Sequence, residues 1–150
     1  FVKKLINFGL RPEIFGNDWH KDTDYSFLKR YIKGDAKYGK NYSKLIFYSK
    51  IVISLPNTHN DDDITNKSLE VPAIGSVLLT NNTKSHRDIF KTPKEAILFK
   101  NPRDCFNKCN ILLNNEKLIK KISIAGHKKI ISNKKFDYKT NLIALTERII

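Results

Sequence analysis

The apolar positions of this chain follow two different periods. Compact runs rich in aliphatic and β-branched residues predict strands at Pro12 to Gly16, Tyr31 to Gly34, Ile51 to Leu55, Ser76 to Thr80 and Glu95 to Phe99. Between them the apolar residues recur three or four apart. Phe1 to Leu10 has its apolar side at positions 1, 2, 5, 6 and 8, with Lys3 and Lys4 opposite. Similar spacing predicts helices over Tyr42 to Tyr48, Asn66 to Ile74, Lys84 to Phe90, Pro102 to Leu113, Glu116 to Ile131 and Phe136 to Ile150, with a shorter helical turn over Asp24 to Arg30. The punctuation agrees. Gly9 and Gly75 end helices, Asn101 followed by Pro102 is an N-cap with proline at N1, and Gly126 is expected to interrupt its helix.

Strands alternating with helices imply parallel pairing, so the fold class expected is α/β, a Rossmann-like parallel sheet with helices on both faces. The length, 150 residues, is that of one ordinary domain, and residues 1–150 are read as a single domain without internal repeats or linkers. Residues 66–80 stand out. A helix carrying one acid, Glu70, feeds a buried strand through Gly75, and the crevices of α/β folds lie beside such junctions. A carboxylate there can accept from two vicinal hydroxyls of a ribose at once.

The net charge is +13, which points toward an anionic partner: a nucleotide, an anionic glycan, a lipid surface or nucleic acid. Its distribution qualifies that. Residues 1–50 hold eleven Lys/Arg against five Asp/Glu, residues 51–100 six against six, and residues 101–150 eleven against four. The excess therefore sits at both ends, and the Glu70 region is neutral. Asp61, Asp62 and Asp63 lack spaced companion ligands and read as a solvated loop, so no metal site is expected. Cys105 and Cys109 share one face of a helix and read as small buried apolar groups in a reducing, cytoplasmic setting. His20, His59, His86 and His127 are scattered and read as surface residues. No apolar run approaches the roughly 20 residues of a membrane span. The absence of any Met suggests a piece of a longer protein.

The segment Lys67-Ser-Leu-Glu-Val-Pro-Ala-Ile-Gly-Ser-Val-Leu-Leu-Thr80 resembles the R-x-F-E-I-P-A-x-G-x-x-L-L-T stretch of the CgeB-like (spore maturation protein-like) glycosyltransferases, members of the group 1 superfamily. Ile14-Phe-Gly-Asn-Asp-Trp19 is similar to the family's I-Y-G-x-x-W, and Tyr38-Gly-Lys-Asn-Tyr42 with Ser49-Lys-Ile-Val-Ile53 follows in the family's order. The resemblance implies the C-terminal, donor-binding half of a GT-B glycosyltransferase, incomplete at its N-terminus. The first strand and glycine loop would precede Phe1, and an N-terminal acceptor-binding domain would supply the other wall. Glu70 would hold the donor ribose, Lys67 would meet the diphosphate where the family has Arg, and groups around Gly16, Asn17, Lys33 and Gly34 would meet the base or sugar. The donor would be a nucleotide-sugar and the acceptor a glycan or protein. No cofactor or metal is expected, and no catalytic base is identified. Two departures, Lys67 for Arg and Asn141 for a later Arg, weaken the phosphate assignment. The alternative function is a non-catalytic basic Rossmann-like module that binds nucleic acid or an anionic surface.

Overall fold

The computed structural model of the chain describes residues 1–55 and 63–136. Its elements are α1 (Val2–Asn7), β1 (Ile14–Phe15), a 3₁₀ turn (Trp19–Lys21), α2 (Tyr25–Leu28), a second 3₁₀ turn (Lys29–Tyr31) and β2 (Ile32–Gly34). Then come α3 (Gly39–Tyr48), β3 (Ile51–Ser54), α4 (Asn66–Ile74), β4 (Val77–Asn81), α5 (Lys84–Ile89), β5 (Ile97–Phe99), α6 (Pro102–Leu113), α7 (Glu116–Ile131) and a last 3₁₀ turn (Lys134–Phe136). The expected elements are found, with ends moved by a few residues. The terminal helix and the acids Asp61 and Asp62 lie outside the described residues.

Every pairing is parallel. β3, β4 and β5 form one sheet in that order, with Ile51 opposite Val77, Ser54 opposite Thr80, and Asn81 opposite Phe99. β1 and β2 form a separate two-stranded sheet, with Ile14 opposite Ile32. One continuous sheet is therefore not formed among the described residues. β1 is two residues long and directs its hydrogen bonds to β2, where the Gly16 N–H donates to the Gly34 carbonyl at 3.1 Å.

Period-two alternation explains the layers. Val77 and Leu79 point to one face of β4, where they join Leu5, Ile97, Phe99, Cys105, Cys109, Leu112 and Ile122 from the strands and from α1, α6 and α7. Leu78 points to the other face and meets Ile46, Val71, Phe90, Ala96 and Ile130. Both faces of the sheet are thus covered by helices, which is why residues 77–80 read as an unbroken apolar run rather than an alternating one. This is the expected Rossmann-like α/β arrangement. A smaller cluster of Ile6, Ile14 and Leu28 seats β1 and β2 against α1. The two cysteines are free and buried in the first core; the hydrogen bond that the Cys105 thiol donates to Cys109, with burial, pushes Cys105 up and keeps it protonated.

Caps fix the helix starts. Asn101 Oδ1 accepts the Asp104 N–H and Asn115 Oδ1 accepts the Leu118 N–H, each at 2.9 Å. On the open side of β5, Lys108 Nζ donates to the Leu98 carbonyl at 2.7 Å while bonding Asp104 Oδ2 at 2.8 Å.

Gly126 does not interrupt α7. The helix runs unbroken through it, and a Cβ at that position would lie 2.5 Å from the Glu95 carbonyl oxygen and 3.3 Å from Pro72 Cβ. Glycine is needed there for close approach, not for a break. Next to it, His127 Nδ1–H donates to the Ala73 carbonyl at 2.7 Å, one of the last-turn acceptors of α4. His127 is thus half-buried and engaged, not a free surface group.

Ser76, at the entrance to β4, turns its buried hydroxyl onto the end of α3, toward the carbonyls of Ile46 and of Ser49, the latter at 2.6 Å. Ser76→Ala would strand the Ser49 carbonyl, while the Ile46 carbonyl keeps the Ser49 N–H at 3.0 Å. The expected outcome is a loss of about 1–2 kcal/mol, read as a lowered urea midpoint with unchanged slope.

Candidate functional site

α4 begins where β3 has ended, so its first turns stand at the carboxyl ends of the parallel strands. Thr65 is its N-cap, in extended conformation, and the Ser68 hydroxyl accepts the Thr65 N–H at 3.3 Å, giving half of a reciprocal capping box. The first turn holds no acid and carries Lys67 at N2, exposed. A cation beside the positive end of a helix is locally unfavourable and becomes favourable when an anion is bound there.

Glu70, one turn on, is exposed. The Tyr42 hydroxyl on α3 donates to Glu70 Oε2 at 2.9 Å. Burial first, then the hydrogen bond and negative charge of Glu70, push the Tyr42 phenol up, so it remains a donor. One carboxylate oxygen is thereby fixed in direction, and Oε1 is left to meet a ligand. Tyr42 thus joins the candidate site, where the sequence reading used it only as part of a motif. Its aromatic place among the apolar positions of α3 concealed a polar role directed at a residue 28 positions away.

The second group gathers at the ends of β1 and β2. Gly16 and Gly34 are joined by their backbone bond, and Asn17 Oδ1 accepts the Ala36 N–H at 3.0 Å. Lys33 is exposed, its amine 3.5 Å from the Arg30 carbonyl. A Cβ on Gly16 would lie 2.7 Å from Trp19 Nε1, so the indole closes over the glycine. The structure brings Gly16, Asn17, Lys33 and Gly34 together, and separately Lys67 and Glu70. The link between the two groups is the loop from Gly34 into α3, which delivers Tyr42 to Glu70.

Beneath α4 lies a buried polar chain centred on His86, whose side chain is fully enclosed, contrary to its reading as a surface residue. Thr83 Oγ1 donates to the Asp63 carbonyl at 2.8 Å and sits 2.7 Å from His86 Nδ1. The threonine proton is committed, so Nδ1 carries the imidazole proton and Nε2 accepts from the Ser68 hydroxyl at 2.8 Å. Burial holds His86 below the usual imidazole range, opposed by the Asn81 backbone and by the charge of Asp63. The chain continues from Ser68 to Thr65 and Ser54, tying the end of β3 to the start of α4. Sequence could not announce this: serine, threonine and histidine separated by loops form a network only once the strands align. Near it, Thr80 Oγ1 and Asn81 Oδ1 are buried at the end of β4 without a hydrogen-bond partner among the described residues.

A cleft of about 550 Å³ follows the open edge of β5, lined in part by Arg87, Leu98, Lys108, Ile111 and Ile122; it includes none of the six expected site residues. Among the described residues no three His, Cys, Asp or Glu side chains converge as metal ligands.

Parallel strands wrapped by helices, with an oriented carboxylate and a helix-start lysine at the strand ends, define a Rossmann-like α/β domain. The family model described as "Glycosyl transferase-like" matches residues 1–145, and the chain belongs to that family. A comparison with curated proteins finds no match.

Proposed function

We propose that this chain is the nucleotide-sugar-binding half of a two-domain GT-B glycosyltransferase of the CgeB-like branch, passing a sugar to a glycan or protein acceptor. The family match supports the transferase class. The observation that carries the donor reading is Glu70, an exposed carboxylate oriented by Tyr42 and standing one helical turn after Lys67. In this reading Glu70 accepts from both ribose hydroxyls. Lys67 and the start of α4 face the diphosphate, whose charge grows as the sugar leaves. Gly16, Asn17, Lys33 and Gly34 offer backbone and polar groups to the base or sugar. The amine and N–H donors take the place of a metal ion, and an N-terminal domain brings the acceptor and any base. Cytoplasmic placement fits the two free thiols. No helix among the described residues is long and apolar enough to cross a membrane.

Titration calorimetry with UDP and UDP-sugars tests this. Glu70→Ala is expected to weaken UDP binding about 10- to 100-fold, the worth of charged hydrogen bonds to a ligand, with Tyr42→Phe following in the same direction more mildly. Lys67→Ala should weaken binding and flatten its salt dependence. Unchanged UDP affinity in Glu70→Ala removes the ribose role. Tight, steeply salt-dependent binding to random duplex DNA by a chain that ignores UDP would establish the non-catalytic alternative instead.

A further inference from the structure

Part of the positive charge that the donor site does not use lies on α7, beside the opposite end of α4. α7 packs across that end, with Gly126 against Glu95 and Pro72 and with His127 on Ala73. Its outward residues are Lys117, Lys120, Lys121, Ile124, Lys128 and Ile131, all exposed. At 3.6 residues per turn these six positions fall within a sector of about 100°, one face of the helix. Ile124 is 57% exposed and Ile131 is 62% exposed, which a helix face meant only for water does not require.

The start of α7 is tied to the end of α3, where Lys50 bridges Glu116 at 2.7 Å. Glu116 is the only acid in either helix. Beside that bridge Phe47 is 66% exposed and Tyr48 81%, packed edge to face with ring centroids 5.4 Å apart. They border a shallow hollow with Ser43, Lys44 and Ile74. Among the described residues, Lys44, Lys117, Lys120, Lys121 and Lys128 meet no carboxylate.

We propose that this α3–α7 face docks the protein on an anionic lipid surface. Phe47, Tyr48, Ile124 and Ile131 enter the headgroup boundary, and the lysines pair with lipid phosphates. Nucleic acid would account for the lysines, but a duplex gives no place to exposed isoleucines on the same stripe; a lipid surface takes both. The geometry suits a transferase, since α4 carries Lys67 and Glu70 at one end and meets this face at the other. Docking therefore leaves the donor crevice open. The inference stands independently of the donor reading, because UDP binding is measured without lipid.

The test is co-sedimentation of the chain with vesicles of phosphatidylcholine alone or mixed with phosphatidylglycerol. Binding is expected only to the mixed vesicles and should fall with added salt. Each of Lys120→Glu and Lys121→Glu should weaken it at least about fivefold, the worth of one lysine near an anionic surface. The pair Ile124→Ser and Ile131→Ser should weaken it while leaving the salt dependence intact. Lys29→Glu, away from the face, should leave it unchanged, and circular dichroism checks that each variant is folded. The proposal is overturned if the parent chain ignores the mixed vesicles, if Lys29→Glu loses as much as Lys120→Glu, or if duplex DNA displaces the chain from the vesicles at lower concentration than soluble phosphatidylglycerol.

Discussion

His86→Ala is expected to lower the stability of the chain by about 3–4 kcal/mol, the sum of a core cavity and of stranded hydroxyls. The imidazole is fully buried, and its two nitrogens are engaged by Ser68 and Thr83. Without it, the Ser68 hydroxyl loses its acceptor at the first turn of α4. The same residue predicts a pH dependence. Its folded-state pKa lies below the unfolded value, so the unfolded chain takes up the proton first. The stabilisation is complete above the unfolded pKa of about 6.5 and is lost as pH falls toward the folded pKa, with a slope of at most about 1.4 kcal/mol per pH unit. Carboxylates titrate lower and are common to parent and variant. Urea unfolding of the parent and of His86→Gln, at matched pH steps from about 7.5 to 5.5, isolates the effect of this one imidazole. A parent whose stability stays flat over that interval, or falls in parallel with the glutamine variant, contradicts the assignment.

Gly126→Val is expected to cost about 3 kcal/mol or more, the upper range for overpacking a rigid contact. The nearest obstacle is the Glu95 carbonyl oxygen, 2.5 Å from where a Cβ would stand. That backbone cannot easily move aside. The Glu95 N–H donates to the Lys91 carbonyl at 3.0 Å, its carboxylate accepts the Lys91 N–H at 2.7 Å, and Ala96, the next residue, is fully buried. Pro72 closes the other side, with its Cβ at 3.3 Å. Gly126→Ala should fall between parent and valine, because alanine recovers about 1 kcal/mol of helix propensity. Thermal melting that ranks alanine above the parent would show that α7 can move away from the sheet.

The two substitutions mark what the amino-acid sequence makes visible. The α/β layering is legible because period and punctuation act locally. Gly75, Asn101 and Pro102 end or start helices through their own backbone chemistry. Gly126 was misread for the same reason. Local propensity treats a mid-helix glycine as a break, whereas its cause is a carbonyl 31 positions earlier in the chain. Glu70 and Lys67 could be singled out by motif and by their place before a buried strand. Tyr42 and His86 could not, since their partners reach them only after α3, α4 and α5 pack. The division into two sheets was hidden too, because it depends on which strand edges meet.

The bond from Lys108 to the Leu98 carbonyl has a consequence for life at high concentration. Among the described residues β5 is an edge strand, and the apolar cleft along it would otherwise invite a strand from a neighbouring molecule. An incoming backbone would have to displace a charged amine already satisfied by Asp104, so this border against intermolecular β-structure is guarded by a cation.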